Sequence, residues 1–541
     1  MKVFIGGAWP YANGSLHIGH IAALLPGDVL ARYFRLKGFE VCYAAGSDCH
    51  GTPIEIRAGR EGVLPEEIAN RYHDEFMDCF NKLGFTYDIY AKTNDSHHIY
   101  FVQQFFKELL KSGYIYSKSI EQVFCTVCNK FLPDRFVAGK CPNCGNSAKG
   151  DQCDSCGSLL DSSYLNEKLC GICGETPIYK ESEHLFLALS KLEHFIKEYV
   201  DGCSSGWRNN AVGLSRRYID EGFPDRAVTR DLEWGISVPV EGFENKKIYV
   251  WVDAVLGYLS ASKNWAETSG VSWEALWGES SVHYYVHGKD NIPFHTIILP
   301  ALLKANGDLH LPDRIVSSEY LTLEGKKIST SQEWAIWIPD IIQRYNPDTV
   351  RYFLIANGPE KRDTDFSWRE FINSHNGELL GTYGNFVNRS LVFIQKSYDG
   401  EVPEGQCDLK IKGSLHDLYK IVGDLIEQGN FKDALESIFS FIRSANKYFD
   451  EERPWITVKE DLEKCRNTLY TCVQIIANIS VLLSPFLPNT SSQVYLILKI
   501  ESVDWSYKHI PPGVKLGPVK ILFERIEKER IDEEMKKLLN K

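Results

Sequence analysis

The chain has 541 residues, more than one hydrophobic core can organise, so about three or four domains are expected. Its 60 lysines and arginines stand against 72 aspartates and glutamates, and the formal charge of −12 excludes a protein that coats nucleic acid through bulk charge; a nucleic-acid partner would need local basic patches. No apolar run reaches about twenty residues and the start lacks a basic-then-apolar-then-cleavage pattern, so a soluble, cytoplasmic protein with no membrane contact is expected.

In chain order, strand-like runs at 3–9, 39–45 and 85–91 alternate with amphipathic helical runs at 16–37, 65–83 and 95–111. Such alternation predicts an α/β unit with a parallel sheet. The pattern breaks at Tyr116, where a segment rich in Cys, Gly and Lys begins, and resumes near Val228 with strands at 247–252 and 283–287 and a helix at 293–304. The sheet is therefore expected to be split by an insertion. After Ser331 the texture changes, and from Trp368 helical periodicity runs almost to the end, as at 431–449 and 469–483, which predicts an all-helical domain. The last stretch, 523–541, is charged and amphipathic and reads as a solvated helix packing back on the body.

Eight of the fifteen cysteines form four Cys-x-x-Cys pairs, Cys125/Cys128, Cys141/Cys144, Cys153/Cys156 and Cys170/Cys173. Vicinal-type pairs in a large chain of this kind read as metal sites rather than disulfides. Four thiolates suit tetrahedral zinc, and Gly145, Gly157, Gly171 and Gly174 beside the ligands permit tight turns. Eight ligands imply two ions, and sequential, interleaved and nested pairings all fit the spacing. A fully thiolate site keeps no open position for water, so the zinc is expected to be structural.

Two motifs carry the chemistry. Pro10-Tyr11-Ala12-Asn13-Gly14-Ser15-Leu16-His17-Ile18-Gly19-His20 sits at a strand-to-helix junction. His17 and His20 are three apart and share a helical face, at a helix start whose free N–H groups already favour phosphate. Gly19 leaves room for something flat to approach the backbone. Roughly three hundred residues later comes Gly325-Lys326-Lys327-Ile328-Ser329-Thr330-Ser331, a lysine-rich hydroxyl loop. In this order and at this distance the pair resembles the signatures of class I aminoacyl-tRNA synthetases, usually written HIGH and KMSKS.

Within that class the chain resembles the methionyl-tRNA synthetases, including Phe131-Leu132-Pro133-Asp134-Arg135-Phe136-Val137 in the cysteine segment. The resemblance implies a Rossmann-type parallel-sheet catalytic domain at 1–115 and 228–320, split by a zinc-binding connective insertion at 116–227. A KMSKS-type loop and stem-contact region at 321–367 and an α-helical-bundle anticodon-binding domain at 368–541 would follow. It also implies nested zinc sites, an inner one of Cys141, Cys144, Cys153 and Cys156 and an outer one of Cys125, Cys128, Cys170 and Cys173.

For the substrates, the resemblance assigns the methionine ammonium to Asp48, its carboxylate to Arg230 and the side-chain wall to Tyr11, Trp251, Ala254, Tyr258 and His295. Aromatic rings around a polarizable thioether make physical sense. Trp9 and Val255 depart from the family's usual residues in that wall. ATP is assigned to His17, Gly19, His20, Gly288, Asp290, Lys327, Ser329 and Thr330, with Asp290 on the ribose hydroxyls and Mg2+ accompanying the phosphates. Catalysis is assigned to His17, His20, Lys326 and Lys327. Thr330 stands where the family usually has its second loop lysine, and Lys326 is the candidate to compensate.

Asn385, Arg389 and Trp455 match the family's anticodon-reading positions; the alternative for Trp455 is a Pro-Trp helix stop packed in the core. The implied activity is ATP-dependent formation of methionyl-adenylate and transfer to tRNA(Met), releasing AMP and diphosphate, by a chain expected to be monomeric. Synthetases for leucine, isoleucine and valine generally carry a larger editing insertion, and the cysteinyl enzyme uses zinc in its amino-acid site. A non-catalytic tRNA-binding paralogue is the remaining rival, made conceivable by Thr330.

Overall fold

The computed structural model describes residues 2–539 apart from 133–135, 151, 152, 154, 157, 159, 161, 308 and 331; Pro133, Asp134, Arg135, Gly157 and Ser331 of the motifs above thus lie outside the described residues. Five strands, β1 (Lys2–Gly7), β2 (Glu40–Ser47), β3 (Ile89–Lys92), β4 (Ser281–Gly288) and β5 (Arg314–Ser318), form one sheet in the order β5-β4-β1-β2-β3. Every pairing is parallel. Helices on both faces bury it, which is why Val3, Phe4 and Ile5 are all inaccessible to solvent and the strand reads as continuously apolar rather than alternating. The chain leaves β1 for β2 on one side and later returns to β4 on the other. The ends of β1 and β4 therefore flank a switch point, where open α/β sheets bind ligands.

Four helices accompany the first three strands: α1 (Ile18–Leu36), α2 (Thr52–Glu61), α3 (Pro65–Leu83) and α4 (Ser96–Lys111). Three match the expected helical runs. The expected strand at 247–252 does not: only Lys247–Ile248 is extended, and Val250 opens helix α5 (Val250–Ser269). A short apolar run fits either state by periodicity; here α5 is buried on most of its surface, so no polar face marked it as a helix.

The insertion leaves the sheet through a long antiparallel pair, Ile115–Cys125 against Ile178–Leu187. At its far end lies a small sheet of Val137–Lys140, Ser147–Lys149 and Asn166–Cys170. Its compact core, including Val123, Leu132 and Val137, packs against Ile56 of α2.

Helices Leu409–Glu427, Phe431–Glu452 and Leu462–Leu483 build the C-terminal bundle. A buried guanidinium bolts it to the sheet domain: Arg351 pairs with Asp28 of α1 at 2.7 Å and donates to the carbonyls of Leu83, Pro485 and Phe486. The expectation of helix almost to the end needs correction, because 499–528 forms no long helix among its residues; Pro511, Pro512, Gly513, Gly517 and Pro518 fall there. The terminal helix Glu529–Leu539 does pack back on the body, with Glu534 buried against Arg344 at 2.9 Å and 3.0 Å. No helix among the described residues is long and apolar enough to cross a membrane.

Candidate functional site

A cavity of about 1290 Å³ opens beyond the C-terminal ends of β1 and β4. Of the residues expected from the sequence it gathers Tyr11, His20, Asp48, Trp251, Ala254, Tyr258, Asp290, His295 and Thr330, drawn from separate stretches of the chain.

The histidine motif starts α1 in a capping arrangement. His17 Nδ1 accepts from the Gly19 amide and His20 Nδ1 accepts from the His17 amide, both at 3.1 Å. The rings stack with centroids 3.8 Å apart. Burial lowers both pKa values, His20 to about 4 and His17 well below its ordinary value with His20 adding to the effect. With Nδ1 accepting, each neutral ring keeps its proton on Nε2 as a donor. These histidines are therefore hydrogen-bond donors at a helix N-terminus, not cations. A Cβ added to Gly19 would sit 3.0 Å from the His17 ring and 3.4 Å from the Ile328 side chain, so the glycine lets the late loop approach.

The two motifs are joined through backbone. The Ile18 amide donates to Ile336 O at 3.0 Å and the Ile338 amide to Leu16 O at 2.8 Å. Within the loop, Ser329 and Trp334 exchange two backbone hydrogen bonds. Thr330 and Glu333 reach the cavity wall, whereas Lys326 lies over the Trp334 ring at 4.6 Å and Lys327 at 5.8 Å from the Tyr320 ring, both outside it. Gly288 ends β4 behind the wall, and Asp290 is held by the Tyr320 hydroxyl. Lys289 beside it binds Glu319 at 2.7 Å and Asp363 at 2.9 Å.

Deeper in, Tyr258 and His295 form a fixed pair. His295 Nδ1 lies 2.8 Å from Asn291 O and so donates, leaving Nε2 to accept from the Tyr258 hydroxyl at 2.9 Å. Burial holds the His295 pKa at about 4, which keeps the ring neutral. Trp251 donates to the Tyr11 hydroxyl at 3.1 Å and packs on Phe294 at 4.3 Å.

Asp48 is nearly inaccessible, and among the described residues its carboxylate accepts a 3.2 Å bond from the His50 amide. Burial, and then the Asp253 carboxylate, push its pKa well above the usual range. Asp253 is itself held ionised: burial opposes this, but His50 at 2.7 Å and His98 at 2.6 Å outweigh it. A buried carboxylate short of partners in a cavity is chemically suited to an ammonium.

Arg230 is not brought to this cavity. It donates to Ala227 O and Thr229 O and lies 3.8 Å over the Tyr249 ring. Sequence reasoning missed Asn13, Arg57, Arg60, Trp337 and Lys149, all on the wall. Thr52-Pro53 at the start and Gly62 at the end mark α2, and would have placed Arg57 and Arg60 one turn apart on it.

Trp9 explains its own departure. Its ring lies edge-on to Tyr258, 6.2 Å between centroids, in a slot where a Cβ on Gly46 would come within 2.4 Å of it and one on Gly257 within 2.6 Å. Two glycines thus make room for an indole in the pocket wall.

Comparison with known proteins decides the family. Residues 3–391 match the family of class I tRNA synthetases (M), and residues 403–540 match the anticodon binding domain of methionyl tRNA ligase. The chain belongs to the methionyl-tRNA synthetases. It is 54% identical over 538 residues to methionine--tRNA ligase 1 of Alkaliphilus oremlandii, covering 99% of this chain and 100% of that one. With the Bacillus mycoides methionine--tRNA ligase it shares 55% over 540 residues, 99% of both. Its fold matches the Mycobacterium tuberculosis methionyl-tRNA synthetase bound by methionyl-adenylate, with a TM-score of 0.80 at 23% identity over 97% of this chain and 100% of that one.

This synthetase carries its eight paired cysteines as two clusters in the nested arrangement that the resemblance implied. In the outer cluster Cys125 and Cys173 sulfurs lie 3.5 Å apart and Cys128 and Cys170 sulfurs 3.9 Å apart. In the inner one the Cys141–Cys156 and Cys144–Cys153 separations are 3.7 Å and 3.6 Å. Four sulfurs around zinc at ~2.3 Å stand about 3.8 Å from one another, so the donor set fits a metal.

In the helical domain of the synthetase, Arg389 lies 5.8 Å over the Trp455 ring and 4.7 Å over Phe449 while pairing with Asp450 at 2.6 Å. Asn385 is exposed one turn earlier on the same helix. Trp455 is 44% exposed, so it is not the core-packed helix stop that its Pro-Trp sequence allowed.

Proposed function

We propose that this cavity activates L-methionine with ATP and passes the methionyl group to tRNA(Met), with the residues in the following roles. The observation that carries this assignment is the convergence of Tyr11, His20, Asp48, Trp251, Tyr258, Asp290 and His295 on one cavity at the switch point. Asp48 takes the ammonium, and the Tyr258–His295 pair with Trp251 and Tyr11 encloses the thioether. Sulfur against ring edges contributes about 0.3–1.5 kcal/mol per contact. Asp290, oriented by Tyr320, accepts from the ribose hydroxyls.

The methionine carboxylate attacks the α-phosphorus, the bond to the β-phosphate breaks, and diphosphate leaves. His17 and His20 donate from Nε2 to the phosphate oxygens, with Lys326, Lys327, Ser329 and Thr330 supplying the late loop. Mg2+ enters as the counter-ion of ATP. A terminal ribose hydroxyl of tRNA then attacks the adenylate carbonyl and AMP leaves, so no covalent enzyme intermediate is needed.

Asn385, Arg389 and Trp455 read the anticodon, the indole offering an exposed stacking face. The cysteine clusters hold zinc and fold the insertion. Incubation with ATP, methionine and tRNA should yield AMP, diphosphate and an acid-precipitable methionyl ester; absence of the ester would overturn the assignment.

A further inference from the structure

Asp253 stands between the wall residues Trp251 and Ala254, in the first turn of α5, where a helix N-terminus favours a carboxylate. Its own side chain is wholly buried, and each oxygen meets one imidazole: Oδ1 lies 2.6 Å from His98 Nε2 and Oδ2 lies 2.7 Å from His50 Nδ1. Burying an ionised carboxylate is costly unless donors meet it, so the two histidines are what allows a charge here. The segments joined in this way are those around the methionine end of the cavity. His98, in α4, bonds onward through Nδ1 to Ser260 Oγ at 2.7 Å and faces the Trp9 ring, with 6.3 Å between centroids. His50 follows Asp48 by two residues and gives its carboxylate a backbone amide at 3.2 Å. The loop that carries both lies on the start of α5, where a Cβ on Gly51 would sit 3.5 Å from the Val250 side chain.

A second negative charge near Asp48 has two effects of opposite sign. It strengthens the field that an ammonium meets, and it raises the proton affinity of Asp48 in the empty site, where Asp253 ranks next after burial among the causes. The titratable groups packed around the two carboxylates are His50 from the same loop as Asp48, His98 from α4 and the buried Cys49 thiol, on which Lys92 also acts. Among the described residues the ion-pair partners of Asp253 are the two histidines, with no lysine or arginine. We propose that Asp253 is a positioning residue for methionine: through His50 and His98 it fixes Asp48 against the wall helix α5, and its charge makes the ammonium site one of two carboxylates. Its oxygens are engaged by the imidazoles, so it acts on the substrate by its field and through Asp48, not by contact.

This inference rests on the activity proposed above, and methionine-dependent ATP–diphosphate exchange measured across pH separates the two. Asp253→Asn keeps the size of the side chain and removes its charge. Attraction for the ammonium is then weaker at every pH, but protons compete with methionine for Asp48 only at lower pH. Methionine KM should therefore rise by roughly tenfold on the alkaline side, with ATP KM within about twofold, and the variant and wild-type profiles should converge as pH falls. Profiles that stay parallel would leave Asp253 a packing role alone and overturn the proposal, as would profiles that coincide. Should Asp253→Asn fail to fold, the link through His50 decides. His50→Ala should raise methionine KM by roughly threefold to tenfold, and His50→Asn, whose amide nitrogen can stand where Nδ1 does, should restore it. Equal KM in those two variants overturns the proposal. A wild-type enzyme without methionine-dependent exchange would instead overturn the activity itself, and an Asp48→Asn enzyme with unchanged methionine KM the place of the ammonium.

Discussion

Gly257→Ala should force the Trp9 indole into the methionine pocket. A Cβ at Gly257 would have three Trp9 ring carbons as its nearest neighbours, at 2.6, 2.8 and 2.9 Å. Restoring an ordinary carbon–carbon contact of ~3.5–4.0 Å requires the ring, which also lies against Gly46 and Tyr258, to shift by about 1 Å. Overpacking of this kind costs about 1–3 kcal/mol, equivalent to roughly 5- to 150-fold in methionine KM if it falls on binding. Methionine KM in ATP–diphosphate exchange is the assay. The double variant with Trp9→Leu should recover most of the loss, because the strain lies between these two side chains, and alanine in place of glycine inside α5 contributes up to about 1 kcal/mol to the helix. Gly46→Ala is the contrast: its Cβ would also lie 2.5 Å from the Ala91 carbonyl, so Trp9→Leu should not rescue it. A Gly257→Ala enzyme with wild-type methionine KM, or a double variant no better than the single, would refute this account of the slot.

Asp48 gives methionine binding a pH dependence. Burial, then Asp253, raise its pKa in the free site, whereas a bound ammonium favours the ionised form. The free site therefore takes up a proton as pH falls while the complex does not, so methionine KM should climb on the acid side by up to about tenfold per pH unit below the free-site pKa. Asp48→Asn should raise KM and flatten that limb, and an identical limb in the variant would reject Asp48 as its source. Metal analysis should find about two zinc per chain, falling to about one in Cys153→Ser with the outer cluster intact; a wild-type value near zero would reject the assignment. Trp455→Ala should raise KM for tRNA by roughly 5- to 150-fold, the worth of one stacked base, while methionine-dependent exchange continues. Equal loss of both would place Trp455 in the fold rather than in anticodon reading.

The parallel sheet was legible because β1 and β2 are flanked by long amphipathic helices, and α3 falls on the expected range of 65–83. Nested cysteine clusters were legible only through family resemblance, since spacing left three pairings open. What escaped the sequence shares a physical cause. Helix α5 is buried on most of its surface and so lacks a polar stripe, and a run of apolar residues at its start reads equally as a strand. Arg230 was placed in the site from a motif, but its guanidinium is taken up by the carbonyls of Ala227 and Thr229. Lys149 was read as part of a metal-binding segment. Only the folding of the insertion against α2 brings it to the cavity, a long-range contact that no local pattern encodes. Trp9 stood out as a departure whose meaning required Gly46 and Gly257, far away in the chain, to be seen beside it.

Amino-acid-dependent ATP–diphosphate exchange, run with each of the twenty amino acids in turn, tests the central claim most directly. The account predicts exchange with methionine, abolished or strongly reduced by Asp48→Asn, and little with leucine, isoleucine, valine or cysteine. Exchange led by another amino acid, or none with any of them, would contradict it.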